Sequence, residues 1–171
     1  MGTMRNYRCK SCGYNKQLHL GSGMMYPRVS DSAKEAIAAG EHGDELKEAF
    51  DSIELPAVRP EEMIYVCPSC GCWDVYMDAS VYEPTDTEAM KKREFGIKTV
   101  EEWGGVPYMT DYDIEVGDFR LVARYVPACP SCGEGMHPLP GASEDEPDAK
   151  GLKCPKCGST DATIRESGWW D

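Results

Sequence analysis

Four short cysteine turns constrain this chain more than any other feature of its sequence. They begin at Cys9, Cys67, Cys129 and Cys154 and read CKSCG, CPSCG, CPSCG and CPKCG. Thiolates at this C-x2-C spacing lie in one tight turn, and a tetrahedral zinc ion takes four such ligands. The glycine after each second cysteine tolerates positive φ, so the chain can fold back toward the sulfur atoms. The pattern predicts four halves of two metal sites.

The apolar content is too low for an ordinary hydrophobic core. Leu, Ile, Val and Phe account for 26 of 171 residues, and the net charge is −12. This combination is typical of disordered chains, because little apolar surface is available to offset chain entropy. We therefore expect bound metal to supply part of the stability that the core lacks.

The redox state of the compartment decides whether the nine cysteines form disulfides or bind metal. The amino terminus shows no apolar run of signal-peptide length, and no segment approaches the roughly 20 apolar residues of a membrane span. These features predict a cytoplasmic protein with no membrane partner. In that reducing compartment, paired cysteines bind metal or do redox chemistry more often than they form disulfides.

Charge is unevenly distributed, which bears on possible partners. The first 30 residues contain no acid and five bases, Arg5, Arg8, Lys10, Lys16 and Arg28. The rest of the chain is acidic and repels a phosphate backbone. Nucleic acid is therefore expected to bind, if at all, only through the basic amino-terminal region.

Local patterns predict short helices and strands between and after the cysteine turns. Capping residues and apolar spacing favour helices near 33–39, from Asp44, at 86–95 and at 99–103. Alternation predicts a strand over 73–82 and a hairpin over 112–125 that turns at Gly117 and Asp118. The segment 138–151 is rich in Pro, Gly and acids and reads as a loop. One of the two terminal tryptophans, Trp169 or Trp170, is expected to pack back over the last metal site.

The four turns can be paired in more than one way, and the spacing alone does not decide which turns share a site. Loop closure mildly favours nearest neighbours, although its cost grows too slowly with length to decide alone. We expect one site formed by Cys9, Cys12, Cys67 and Cys70 and a second formed by Cys129, Cys132, Cys154 and Cys157. A crossed pairing remains the alternative. Nearest-neighbour pairing implies two consecutive modules, residues 1–84 and 85–171.

The four turns resemble the knuckles of the zinc-ribbon superfamily. The resemblance implies a small metal-bound α+β fold, in which two zinc-ribbon modules have short antiparallel strands and short inserted helices. It also implies two structural zinc ions per chain. The long excursion between Cys12 and Cys67 departs from the compact ribbon, so a specific function is expected to lie there.

The first half also shows a weaker similarity to rubredoxins. NYRCKSCGY and IELPAVRPEEMIYVCPSCG are similar to the two halves of those proteins. This similarity implies iron at the first site and, as an alternative function, transfer of single electrons.

The sequence favours a binding protein over an enzyme. A site closed by four thiolates leaves no open position for water or substrate, which catalytic zinc requires. We expect a non-enzymatic adaptor or regulator that contacts a protein partner through its inserted helices and acidic face. Nucleic-acid binding by the amino-terminal knuckle is the alternative. Cys72 follows the second turn and is expected to be a small buried side chain.

Overall fold

The structure is a computed structural model that describes residues 2–23, 26–139, 149 and 151–170. Its strands are β1 Gly2–Cys9, β2 Asn15–Leu20, β3 Ala57–Val58, β4 Glu62–Val66, β5 Trp73–Met77, β6 Val81–Pro84, β7 Glu94–Phe95, β8 Lys98–Thr99, β9 Phe119–Ala123, β10 His137–Pro138 and β11 Ala162–Trp170. Its helices are α1 Tyr26–Ala38, α2 Asp44–Asp51, α3 Thr87–Lys92, α4 Val100–Trp103 and α5 Asp111–Glu115. The fold is therefore a small α+β structure of short helices and short antiparallel strands.

The chain forms two compact units, each built from separated segments. Unit 1 comprises Met1–Met24, Glu61–Met77 and Val126–Asp171, and unit 2 comprises Met25–Pro60 and Asp78–Tyr125. This division differs from the expected consecutive modules, 1–84 and 85–171. The physical reason is that β1, near the amino terminus, pairs with β11, near the carboxyl terminus, which brings the two ends of the chain into one unit.

Unit 1 contains two three-stranded antiparallel sheets. The terminal sheet has the order β11-β1-β2, and the inner sheet has the order β10-β4-β5. In each sheet, a hairpin carries one cysteine turn at its tip, and the second cysteine turn precedes the third strand. Two backbone hydrogen bonds between Gly21 and Glu62, of 2.9 and 3.0 Å, link β2 to β4.

A small aromatic and aliphatic cluster forms the core of unit 1. Tyr7 and Trp73 lie at its centre, with ring centroids 4.8 Å apart. Leu18, Ile64 and Leu152 pack around them and are almost fully buried. The buried cysteines Cys9 and Cys154 belong to the same cluster. The core of unit 1 is therefore continuous with its cysteine turns.

Unit 2 has its own sheet and its own core. The sheet has the order β3-β6-β9, and β7 and β8 form a separate two-stranded ribbon. The buried side chains come from the sheet, from α3 and α4 and from the connections between them, namely Leu55, Ala57, Tyr82, Met90, Phe95, Val100, Val106, Met109 and Phe119. Unit 2 thus buries an apolar core without any cysteine.

Several local predictions are confirmed by the structure. Helix α1 begins before residue 33 but ends at Ala38, α2 begins at Asp44, and α4 occupies 100–103. A capping box between Thr99 and Glu102 opens α4. Among them, only α4 begins at its expected side-chain cap. Helix α1 begins seven residues earlier than expected, α2 follows Gly43 without a side-chain cap, and α3 ends at Lys92 rather than at residue 95.

Two strand predictions are wrong in an informative way. The expected strand 73–82 is two strands, because Asp78 accepts hydrogen bonds from the backbone N–H and the hydroxyl of Ser80, at 2.9 and 2.6 Å, and turns the chain. The first arm of the expected hairpin 112–125 is helix α5. It begins where the Thr110 N–H donates to the Asp113 carboxylate at 2.8 Å. This cap outweighs the alternation of the apolar residues that follow it.

The remaining fold-level predictions concern the ends of the chain. Most of the acidic loop predicted at 138–151 lies outside the described residues. Trp170 does pack back, but onto Gly2 and His19 at the end of β1 opposite Cys9. Its expected position over a metal site is therefore wrong. Within the described ranges, none of the helices has the length and apolar character needed to cross a membrane.

Candidate metal centres

The four cysteine turns have the same backbone geometry. In each, the glycine N–H donates to the carbonyl of the first cysteine, and the N–H of that cysteine donates to the carbonyl of the fifth residue after it. The glycine bonds measure 3.0, 2.9, 2.8 and 2.8 Å for Gly13, Gly71, Gly133 and Gly158. The cysteine bonds measure 2.9, 2.8, 2.7 and 2.8 Å for Cys9, Cys67, Cys129 and Cys154. Both sulfur atoms of every turn are thus presented on the same side of one rigid loop.

Positive φ at the glycine closes each of these turns. The φ angles are 74°, 73°, 80° and 74° for Gly13, Gly71, Gly133 and Gly158. An L-residue with a β-carbon is strained in this region, and asparagine less so than most. The sequence-based reason given for these glycines agrees with the structure.

Replacement of Gly158 tests this requirement without a steric clash, because no heavy atom lies within 4 Å of a β-carbon built there. We expect Gly158→Ala to cost about 1 to 2 kcal/mol of backbone strain, which corresponds to roughly five- to thirty-fold weaker zinc binding. Competition with a chromophoric chelator measures this affinity. Gly158→Asn is the matched control and should lose less. Equal affinity of the alanine variant and the unmodified protein contradicts the strain argument.

The structure gathers the eight cysteines of the four turns into two groups. The terminal group is Cys9, Cys12, Cys154 and Cys157, and the inner group is Cys67, Cys70, Cys129 and Cys132. The expected pairing, with Cys9, Cys12, Cys67 and Cys70 in one site and Cys129, Cys132, Cys154 and Cys157 in the other, is wrong. The terminal group joins the first and fourth turns of the chain, and the inner group joins the second and third, so the inner site is nested within the terminal one.

Strand pairing is the reason for the nested arrangement. In the terminal sheet, Cys9 lies opposite Ala162 and the Lys10 N–H donates to the Asp161 carbonyl at 2.8 Å. This register brings the last cysteine turn beside the first. In the inner sheet, Val66 lies opposite His137 and places the third turn beside the second. Each group therefore unites the two cysteine turns of a single sheet.

The sulfur positions fit a tetrahedral metal ion. The shortest Sγ···Sγ distances between turns are 3.6 Å in the terminal group, from Cys12 to Cys154, and 3.5 Å in the inner group, from Cys67 to Cys132. All ligand atoms of a group lie within 4.8 Å of one another. Four sulfurs at the usual Zn–S distance of about 2.3 Å are about 3.8 Å apart at the corners of a tetrahedron. Both donor sets suit zinc in number, chemistry and spacing.

The two groups also resemble each other in the acidity of their thiols. Backbone hydrogen bonds lower the pKa of the second cysteines of the later turns, Cys132 and Cys157, but hydrogen bonds with the other thiols of their group outweigh this and raise each pKa to about 12. Burial raises the pKa of Cys129, but the backbone N–H groups of Ser131 and Cys132 outweigh it and lower that pKa to about 6. Cys154 is similarly placed, and its pKa is lowered to about 7. In each group, the first cysteine of the later turn is thus readily deprotonated, as a thiolate ligand must be.

Sequence inspection missed Lys153, which joins the two cysteine groups. Its Nζ donates to the Cys70 carbonyl at 3.4 Å, and its own carbonyl accepts the Trp73 indole N–H at 2.7 Å. Lys153 directly precedes Cys154, so it links the inner turn to the terminal one. A single lysine beside a cysteine turn carries no periodic signal, and only the tertiary contact reveals its role.

The nested grouping also affects the similarity to rubredoxins. That similarity places Cys9, Cys12, Cys67 and Cys70 around one iron ion, and these four do not form a group. Cys72 belongs to neither group and is partly buried.

Comparison of the chain with protein-family models, with curated proteins and with solved structures finds no match to any of them.

Proposed function

We propose that this chain is a non-enzymatic protein that holds two structural zinc ions, one in each cysteine group. The observation that carries the proposal is the pair of four-sulfur groups, each with tetrahedral spacing. Structural zinc sites contribute on the order of 10 kcal/mol of apparent folding free energy. Such a contribution offsets the low content of large apolar residues, particularly in unit 1.

Native mass spectrometry of the purified protein tests this assignment. We expect a mass that exceeds that of the bare chain by two zinc ions less four protons, since each Zn²⁺ replaces two protons at a given charge state. A protein with iron in either group shows thiolate-to-iron absorption in the visible region instead. Coloured protein, or well-folded protein without metal, contradicts the proposal.

The ligand count supports a structural rather than a catalytic role for the two ions. Four thiolates fill the coordination of a tetrahedral ion, so neither ion has an open position for water or substrate. His19, His42 and His137 belong to neither group. The two ions therefore serve the fold, and the role of the protein is expected to lie in binding.

Unit 2 is the surface that we propose for a protein partner. It carries 19 acidic and 10 basic side chains. It also exposes several large apolar side chains, with exposed fractions of 97% for Ile97, 68% for Tyr112 and 42% for Val122. Apolar anchors inside a charged rim are typical of protein interfaces. The partner expected from this chemistry is a protein with basic residues around an apolar patch.

Affinity capture with a surface variant tests the assignment of unit 2. Leu121 and Val122 lie side by side on strand β9, at the edge of its sheet, and both are exposed. We expect Leu121→Lys with Val122→Lys to abolish capture of a specific partner. The control Trp169→Ser removes an exposed apolar residue from unit 1 instead. Loss of the partner with the control, and not with the double variant, contradicts the role of unit 2.

A further inference from the structure

The outer face of the terminal sheet is a polar, concave surface. Because side chains alternate along a strand, every second residue of β1, β2 and β11 lies on this face. The terminal-sheet face is defined by Met4, Asn6, Arg8, Asn15, Gln17, His19, Thr163, Arg165 and Trp170. The Gln17 amide donates to the Met4 sulfur at 3.5 Å. Much of it lines an open concavity of about 960 Å³. The opposite side of the sheet carries the buried core residues Tyr7 and Leu18, so this face lies outside the core of unit 1.

Positive charge on this face lacks acidic partners. Arg8 and Arg165 are exposed, and neither forms an ion pair with any described residue. They occupy neighbouring cross-strand rows, since Asn6 lies opposite Arg165 and Arg8 lies opposite Thr163. Diagonal neighbours of this kind are about 7 Å apart. In a chain of net charge −12, two adjacent unpaired arginines form a local site for anions.

Two acidic groups border the arginine end of the face, and both have partners. Lys10 lies 3.0 Å from Asp161, and both side chains are more than half exposed. Such an exposed pair is weak and exchanges readily with a competing anion. Glu166 lines the concavity, but its carboxylate lies 3.5 Å from the buried Arg5. These two acids lower the positive electrostatic potential at the edge of the concavity. They do not pair with Arg8 or Arg165, whose side chains stay available to an anion.

Neutral groups on the same face suit nucleobases. Asn6, Asn15 and Gln17 supply amide donors and acceptors, which match the edges of bases. At the far end, the ring of Trp170 lies 5.5 Å from that of His19 and is inclined to it by 30°. A hydrogen bond of 3.1 Å from its indole N–H to the Leu20 carbonyl holds Trp170 in place. Bases of single strands stack on fixed aromatic rings of this kind.

We propose that single-stranded nucleic acid binds along the terminal-sheet face. Arg8 and Arg165 contact phosphates, the three amides contact base edges, and Trp170 with His19 stacks a base. The seven residues from Gly2 to Arg8 span about 20 Å of strand, enough for roughly four nucleotides. A duplex hides its base faces and offers nothing for the aromatic end to stack on. An acidic peptide satisfies the arginines but leaves the amides and the aromatic pair without a partner.

Fluorescence anisotropy with labelled oligonucleotides tests the proposal on the full zinc-loaded chain. The probes are a mixed-sequence single strand of eight nucleotides, the matching duplex and a poly-glutamate peptide of equal charge. Arg8→Gln with Arg165→Gln removes both proposed phosphate contacts. The matched control is Arg28→Gln with Arg124→Gln, which removes two exposed arginines from unit 2. Both variants change the net charge equally.

The expected results separate specific contacts from general electrostatics. The double variant on the face should weaken single-strand binding about tenfold or more, and the slope of log K against log salt should fall by about 1.4, since each phosphate contact in a single strand contributes about 0.7. The control should bind as the unmodified protein does. Trp170→Leu should weaken binding about tenfold with the slope unchanged, because stacking releases no counterions.

Four outcomes overturn the proposal. The first is no single-strand binding at 50 mM salt, and the second is equal loss in the two double-arginine variants. The third is tighter binding of the duplex than of the single strand. The fourth is poly-glutamate binding as tightly as the oligonucleotide, which assigns the face to an acidic protein instead. Zinc content and circular dichroism of each variant establish that the fold is retained.

Discussion

The variant Cys12→Ser/Cys157→Ser is expected to lose one zinc ion per chain, whereas Cys12→Ser/Cys70→Ser is expected to lose both. The first pair of substitutions falls within the terminal group, and the second pair removes one ligand from each group. Removal of thiolates from a closed four-ligand site removes most of its affinity for zinc. Each lost ion takes with it on the order of 10 kcal/mol of apparent folding free energy.

Metal analysis and hydrogen–deuterium exchange measure the two expectations together. With only the terminal ion lost, we expect fast exchange in β1, β2 and β11 and retained protection in β4 and β5. With both ions lost, both sheets of unit 1 should exchange fast. The reverse stoichiometry, two ions lost from Cys12→Ser/Cys157→Ser and one from Cys12→Ser/Cys70→Ser, supports nearest-neighbour pairing and contradicts the nested arrangement. Unit 2 contains none of the four turns, so its core amides serve as the internal control.

Replacement of Asp113 by alanine is expected to destabilise unit 2 by about 1 to 3 kcal/mol, the range for losing a helix cap together with hydrogen bonds to a charged group. The Asp113 side chain is only 4% exposed and lies 2.5 Å from the Arg93 guanidinium. It also accepts the backbone N–H and the hydroxyl of Thr110, at 2.8 and 2.6 Å. Its removal leaves the start of α5 without its acceptor, and Arg93 keeps only Asp118, at 2.9 Å, as a partner.

The same carboxylate gives unit 2 a predicted pH dependence. Burial raises the pKa of Asp113, but the hydrogen bonds from Thr110 and Arg93 outweigh it and hold that pKa below its ordinary value. A carboxylate whose pKa is lowered in the folded state stabilises the fold above its unfolded pKa of about 4, and the contribution is lost as the pH falls further. The stability of unit 2 should therefore decrease below about pH 4, and this component should be missing in Asp113→Asn.

Exchange rates of the core amides in α3, α5 and β9 report on unit 2 separately from the zinc sites. Glu88→Gln is a suitable control, because Glu88 pairs with Lys91 on an exposed surface where ion pairs contribute little. We expect wild-type exchange rates in the control and faster exchange in Asp113→Ala. Unchanged protection in the alanine variant means that this buried contact does not stabilise unit 2.

Short-range features were the predictable part of this fold. The C-x2-C-G turns, the capping box of α4 and the start of α2 depend on residues within one turn of each other. The first arm of the expected hairpin failed because Thr110 and Asp113 form a competing local cap, which the alternation of Tyr112, Ile114 and Val116 concealed. The sequence shows the two residues that form this cap. It does not show whether the cap or the alternative strand pairing has the more favourable free energy.

The sequence by itself determined that eight cysteines lie in four similar turns with the chemistry of two metal sites. This information is local, since ligand spacing and glycine at positive φ act within five residues. Only the tertiary structure decided which turns share an ion. That choice depends on the pairing of β1 with β11 across about 150 residues of sequence. Loop closure discriminates weakly, because each doubling of loop length costs only about 0.6 kcal/mol, so eight paired residues of sheet outweigh proximity along the chain.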